Sequence, residues 1–110
     1  MPRVVVVGDV IDDILVKPKT TIRPDTDTQA EIKLSPGGSA ANFACWLANQ
    51  GVEVDFIGRV NHKDIARHSA DLTGYGVNPM LQADPKLPTG SIVVLVEGDQ
   101  HLCLGQNRTA

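Results

Sequence analysis

Four consecutive valines near the start of the chain, Val4–Val7, constrain the fold more than any other feature. β-Branched residues favour strands, and a run without polar alternation is typical of a strand that is buried on both faces, as in a parallel sheet. Gly8 and Asp9 end the run. Polar residues at the carboxyl end of such a strand lie where open α/β sheets bind ligands. We therefore predict an α/β fold whose first strand leads directly to a functional edge.

The middle of the chain alternates between helix and strand patterns. Residues 39–49 carry apolar side chains at helical spacing, and Gln50-Gly51 follows as a stop signal. Residues 54–57 form a second candidate for a buried strand, and Asp64 can cap a second helix. This order predicts an α/β body over residues 36–76, with a parallel sheet flanked by helices.

Two further segments, residues 14–35 and 77–104, have a different character. Both alternate or carry β-branched runs around turn residues, and Ser91–Val96 followed by His101–Leu104 is typical of a hairpin. We predict that these segments are antiparallel β insertions attached to the α/β body.

Composition excludes several classes of function. The 110 residues, a length typical of one domain, hold 10 Lys and Arg against 13 Asp and Glu and only 4% aromatic residues, so no nucleic-acid partner is expected. The longest apolar run is far too short for a membrane span, and the start of the chain lacks a signal-peptide cleavage pattern. Cys45 and Cys103 fit neither a disulfide framework nor a metal-site spacing. We expect a cytoplasmic protein with reduced thiols and no membrane partner.

Gly37 and Gly38 stand directly before the first predicted helix. Paired glycines let a ligand touch the backbone, and the first helical N–H groups would be free to donate to it. Asn42, one turn later, adds an amide that both donates and accepts. The alternative is a sharp strand-to-helix turn with Ser39 as the cap. The spacing matches neither of the glycine motifs that bind nucleotides.

Three aspartates, Asp9, Asp12 and Asp13, follow the first strand. A carboxylate at this edge can accept hydrogen bonds from two neighbouring hydroxyls, and such charged hydrogen bonds are roughly twice as strong as neutral ones. The spacing is not that of a calcium loop and no His or Glu joins the group, so no metal is expected. An ordinary polar turn remains the alternative. The three histidines are expected to be solvated or to cap turns; they are His62, His68 and His101.

Together these motifs resemble the amino-terminal portion of ribokinase-like (PfkB-type) carbohydrate kinases. The similar segments are GDVIDD at 8–13, GGSAANFACWLANQG at 37–51, DFIGRVNHKDIA at 55–66, PTGSIVVLVEGDQ at 88–100 and NRTA at 107–110. The resemblance extends over residues 1–110 and implies a ribokinase-like parallel sheet with a small antiparallel β lid. The chain departs from the family pattern at Ile11, where Asn is common, and at Asn61, Ala66 and Thr109, where glycine is usual.

The resemblance implies phosphoryl transfer from ATP to a hydroxyl of a sugar or of a related polyol or nucleoside. It implies that Asp13 accepts hydrogen bonds from hydroxyls of the substrate, and that Gly37 and Gly38 let the sugar approach the backbone. Asn42 would bind a further hydroxyl, and Arg108 would lie near the mouth of the site.

Residues 14–35 and 77–104 would form the lid, and lids of this family often pair between subunits, which implies a homodimer. The Gly-Ala-Gly-Asp type signature that supplies the anion hole and catalytic base has no counterpart in these 110 residues. We therefore expect no catalytic residue here, ATP and Mg²⁺ to bind a missing carboxyl-terminal part, and the 110-residue portion alone to be inactive. The alternative is a standalone binding or assembly module that pairs through exposed β segments.

Overall fold

The computed structural model describes residues 2–106. Its strands are β1 (Arg3–Val7), β2 (Ile11–Pro18), β3 (Ala30–Gly37), β4 (Glu53–Asn61), β5 (Val77–Asp84), β6 (Ser91–Glu97) and β7 (Gln100–Gln106). Its helices are α1 (Ser39–Asn49) and α2 (Ile65–Gly74), and a 3-10 turn (His62–Asp64) precedes α2. Within this part of the chain, neither helix is long and apolar enough to cross a bilayer. Arg108 lies outside the described residues.

A parallel sheet of three strands, in the order β1-β4-β5, forms the body of the fold. Helices α1 and α2 connect its strands, which is the connection that parallel pairing requires. Phe56 and Val60 of β4 are completely buried, and they pack in one cluster with Ala44 of α1 and Leu72 of α2. This arrangement confirms the predicted mixed α/β fold.

Among residues 2–106, only one face of the valine run is buried. Val6 is buried, whereas Val5 is 54% exposed and Val7 is 70% exposed. Both helices belong to the same cluster as Val6, so the described residues cover only one face of the sheet. The alternate side chains of β1 therefore point away from the helices.

A second sheet of four strands has the order β3-β2-β6-β7. The β2–β3 and β6–β7 pairs are antiparallel, and β2 pairs with β6 in parallel. The prediction that residues 77–104 form one antiparallel segment is wrong at its start, because β5 pairs in parallel with β4 from Val77 to Asp84. A strand that returns through a helix runs parallel to its predecessor, and the strand pattern alone does not name the neighbour.

One face of the four-stranded sheet is apolar across all its strands. Two rows of paired residues cross it, namely Leu34, Ile14, Val93 and Leu104 in one row and Ile32, Val16, Leu95 and Leu102 in the other. At the sheet edges Ile32, Leu34 and Leu104 are each more than half exposed. We call these eight residues the apolar face.

A buried aspartate at the end of β5 fastens the loop that leads from the first sheet to the second. Asp84 Oδ1 accepts hydrogen bonds from the Leu87 N–H at 2.7 Å and the Lys86 N–H at 2.9 Å, and Arg59 Nε donates to Oδ2 at 2.9 Å. The two backbone donors, followed by Arg59, lower the pKa of Asp84 to about 2. The connection between the sheets therefore begins at a fixed point.

Candidate functional site

The start of α1 is closed by Asp9, which follows β1. Asp9 Oδ1 accepts a hydrogen bond from the Ala40 N–H at 3.2 Å, and the Asp9 carbonyl accepts one from the Ala41 N–H at 3.3 Å. Two of the N–H groups at the first helical turn are therefore occupied rather than free, and the alternative of a Ser39 cap is wrong. Gly38 occupies the cap position without a side-chain hydrogen bond, and the carboxylate reaches the helix from the neighbouring loop.

The two glycines before α1 are required by close packing. Gly38 has φ +102°, and a Cβ there would lie 2.6 Å from the Asp9 carbonyl oxygen. A Cβ on Gly37 would collide with the carboxylate of Asp13. The absent side chain of Gly37 is thus what makes room for Asp13.

Asp13 lies on β2 on the face opposite to the apolar face, directly across from Ser35 of β3. Partial burial raises the pKa of its carboxyl above the usual range, and the charge of the adjacent Asp12 raises it further. An aspartate in such a place is stabilised by hydrogen-bond donors from a ligand, since water solvates it only in part.

A cleft of about 560 Å³ separates α1 from α2 and reaches the end of β3. Gly37 and Asn42 line it, together with the exposed aromatic side chains of Trp46 and Tyr75. Gly38, which packs against Asp9, does not line the cleft, and neither does Asp13. The structure therefore brings Asp13 to Gly37 and brings Gly37 and Asn42 to one cleft, but it does not bring Asp13 into that cleft.

Sequence reasoning missed an ion-pair network on the other face of β2. Arg67 of α2 donates to Asp12 through Nη1 and Oδ1 at 2.6 Å and through Nη2 and Oδ2 at 3.0 Å. The same Nη2 lies 3.2 Å from Asp64 Oδ1, and Thr89 Oγ1 donates to Asp64 Oδ2 at 2.6 Å. Strand alternation could have indicated that Asp12 and Asp13 face opposite ways, but no local signal names Arg67 as the partner.

His68 is fully buried, and the expectation that it is solvated is wrong. It shares the inner side of α2 with Leu72, and its Nε2 lies 3.1 Å from Asp12 Oδ1. Neither ring nitrogen makes an aligned hydrogen bond with another described residue. His62 is exposed, as expected, and so is His101.

The whole sequence, residues 1–110, matches the family model described as pfkB family carbohydrate kinase. The chain belongs to the pfkB family of carbohydrate kinases. A search of curated proteins found no match.

Solved structures share the fold of this pfkB-family chain. Ribokinase from Arabidopsis thaliana, in complex with ribose and ATP, is 25% identical with a TM-score of 0.79 over 98% of this chain and 36% of that one. Ribokinase from Cryptococcus neoformans with ADP is 22% identical, with a TM-score of 0.80 over 98% and 34%. A nucleoside kinase from Methanocaldococcus jannaschii is 19% identical, with a TM-score of 0.82 over 99% and 38%.

This pfkB-family chain therefore spans about a third of the length of the solved kinases that it matches. The described residues have the fold of the amino-terminal portion of a ribokinase-like protein, which confirms the resemblance of the sequence motifs.

Proposed function

We propose that the natural protein that contains this chain is a kinase that phosphorylates a hydroxyl of a sugar or of a related polyol or nucleoside with ATP. The family match over residues 1–110 carries this proposal. Two observations support it: the Asp13 carboxylate lies against Gly37, and Gly37 and Asn42 line one cleft. In the reaction, the acceptor oxygen bonds to the γ-phosphorus, the bond from that phosphorus to ADP breaks, and the hydroxyl proton passes to a base.

In this proposal the chain selects and orients the acceptor. Asp13 accepts hydrogen bonds from two hydroxyls, Gly37 and Gly38 let the sugar approach the backbone, and Asn42 binds a further hydroxyl. Each neutral contact contributes about 0.5–1.5 kcal/mol net and each hydrogen bond to the Asp13 carboxylate about 1.5–3 kcal/mol, so three or four of them make a selective site. Arg108, outside the described residues, is proposed to lie near the mouth of the site.

ATP, Mg²⁺ and the catalytic base are assigned to residues other than the ones described. Residues 2–106 contain no group of three or more His, Cys, Asp or Glu side chains arranged to hold a metal ion. The neighbours in complex with ADP and with ribose and ATP support nucleotide use by the whole protein. We place this reaction in the cytoplasm.

A panel of acceptors tests the function. The full-length natural protein is incubated with ATP and Mg²⁺ and, in separate reactions, with sugars, polyols and nucleosides, and both ADP and the phosphorylated product are measured. We expect one acceptor class to be phosphorylated well above the others. A folded protein that phosphorylates none of them contradicts the proposal and favours the binding or assembly module.

The lid is proposed to consist of β2 and β3 within residues 14–35 and of β6 and β7 within residues 77–104. Closure of a lid excludes water, which competes with the acceptor for the phosphoryl group. The segment 19–29 connects β2 to β3, and the Lys19 N–H donates to the Gln29 carbonyl at 2.9 Å across its base.

Replacing residues 19–29 with Asn-Gly keeps the pairing of Pro18 with Ala30 and shortens the lid. We expect ATP hydrolysis to rise several-fold relative to phosphoryl transfer, measured as the ratio of ADP to phosphorylated acceptor. An unchanged ratio in a protein of unchanged stability would show that this segment does not cover the site.

We propose a homodimer through the lid, with the apolar face as the contact. A second copy offers the same apolar rows, so a two-fold contact covers both at once. Leu34→Lys places a charge in this contact and should convert the dimer to a monomer, measured by light scattering after size-exclusion chromatography. Lys33→Gln, on the opposite face of β3, is the matched control and should leave the dimer intact. A parent protein that is monomeric, or a dimer that tolerates Leu34→Lys, contradicts this contact.

A further inference from the structure

Two neighbouring aspartates connect the lid strand β2 to different parts of the molecule. Consecutive strand residues point to opposite faces, so Asp13 faces Gly37 while Asp12 faces α2. Any rotation of the backbone at the start of β2 therefore moves both carboxylates together. The contacts of Asp12 thus bear on the direction of Asp13.

Arg67 forms a bidentate contact with Asp12, in which Nη1 donates to Oδ1 at 2.6 Å and Nη2 donates to Oδ2 at 3.0 Å. Among residues 2–106, these two are the only side-chain hydrogen bonds that join α1 or α2 to a strand of the four-stranded sheet. The Asp12 side chain is only 13% exposed, so the contact is largely sheltered from water. A guanidinium fork paired with a carboxylate fixes orientation as well as distance.

The other end of this contact is fixed as well. Arg67 Nη2 lies 3.2 Å from Asp64 Oδ1, and Asp64 accepts a hydrogen bond from Thr89 Oγ1 at 2.6 Å. Thr89 Oγ1 in turn accepts a hydrogen bond from the Asn61 N–H at 2.9 Å, and the Asp12 N–H donates to the Gly90 carbonyl at 3.0 Å. Both places where the chain enters the four-stranded sheet are therefore tied to the start of α2.

We propose that Arg67 is a positioning residue of the acceptor site: by holding Asp12 it fixes the start of β2 and thereby directs the Asp13 carboxylate toward the acceptor. This inference rests on the proposed function, since it assumes that Asp13 binds the acceptor. Without Arg67, the Asp12 carboxylate loses both hydrogen bonds of this contact in a place that is nearly closed to water, and β2 turns to expose it to solvent.

Kinetics of the full-length natural protein test the proposal. Arg67→Gln should raise the KM for the acceptor about tenfold, within the range of indirect couplings, with the KM for ATP unchanged. Arg67→Lys keeps the charge but not the fork, so a smaller rise is expected. Asp12→Asn combined with Arg67→Gln removes both charges and should recover part of the loss.

Arg3 provides the matched control. Its Nη1 donates to both oxygens of Asp55 at 2.8 Å and its Nη2 to Glu53 Oε2 at 3.2 Å, at the opposite end of β1 from Gly8. Arg3→Gln therefore breaks an equivalent contact far from the acceptor and should leave its KM unchanged. If Arg67→Gln and Arg67→Lys lower only the melting temperature and both keep the parental acceptor KM, Arg67 is structural and the proposal is wrong.

A titration of the Asp13 carboxyl by NMR separates this proposal from the proposed function. The charged groups on the side of Asp12 are Arg67 from α2 and Asp64 from the turn before it, and the His68 ring lies 3.1 Å away. Asp13 points to the opposite face of β2 and still feels the charge of Asp12. Loss of Arg67 leaves the Asp12 charge uncompensated, so the pKa of Asp13 should rise in Arg67→Gln and not in Arg3→Gln. A protein without kinase activity that shows this rise contradicts the function alone, and an unmoved pKa contradicts the positioning role.

Discussion

Replacing Asp13 with Asn should lower kcat/KM for the acceptor by about 100- to 1,000-fold, because two charged hydrogen bonds of about 1.5–3 kcal/mol each are weakened or lost. Burial and Asp12 already disfavour the charged carboxylate, so Asn should not lower the stability of the fold at neutral pH. Steady-state kinetics with the acceptor found in the panel, together with the melting temperature, measure both effects. A variant with the parental kcat/KM would remove Asp13 from the site.

The control for Asp13→Asn is Glu53→Gln, which removes one exposed carboxylate at the start of β4, far from the site. Its kcat/KM should equal that of the parent.

The pH profile of acceptor phosphorylation adds a second criterion for the role of Asp13. The raised pKa of Asp13 means that acceptor binding is lost as the pH falls through a value above the usual 3.9 or so of an aspartate, and Asp13→Asn should lack this acid limb.

Gly37→Ala should lower kcat/KM for the acceptor by about 100-fold with little change in the KM for ATP. The added methyl group would overlap the Asp13 carboxylate, and a displacement of about 1 Å in a binding group has an effect of that size. Steady-state kinetics with each substrate varied in turn measure the two constants.

Gly105→Ala is the matched control, since its Cβ would make an ordinary contact at 3.6 Å with Ile92. It should leave the kinetics unchanged. Combining Gly37→Ala with Asp13→Asn should cost little more than either alone, because both changes act on the same contact. Additive losses of kcat/KM in the double variant, or a fully active Gly37→Ala enzyme, would show that Gly37 is not needed to position the Asp13 carboxylate.

The sequence predicted the features that depend on local patterns. The valine run, the glycine pair and the helical spacing after Ser39 sufficed for the parallel body and for the position of α1. The shared motifs sufficed for the family, which the match over residues 1–110 confirmed. The roles of Asp13, Gly37, Gly38 and Asn42 stay predictions until the variants are measured.

Long-range partners could not be read in the same way. Which strand lies beside β5, and which group faces Asp12, depend on how the helices bring distant residues together. Asp12 and Arg67 are 55 positions apart, and nothing near either one marks the pair. The burial of His68 could not be predicted for the same reason, because a histidine on the inner side of a helix cannot be told from a solvated one until the position of the sheet is known.

Asp9 leaves α1 with little positive potential to offer an anion. Its carboxylate offsets the partial charge at the amino end of the helix, and two of the N–H groups that could have held a phosphate are already occupied. We therefore expect the amino end of α1 to contribute little to the binding of a phosphate group. A phosphorylated product would gain no anion site at this helix, so α1 would not oppose its release.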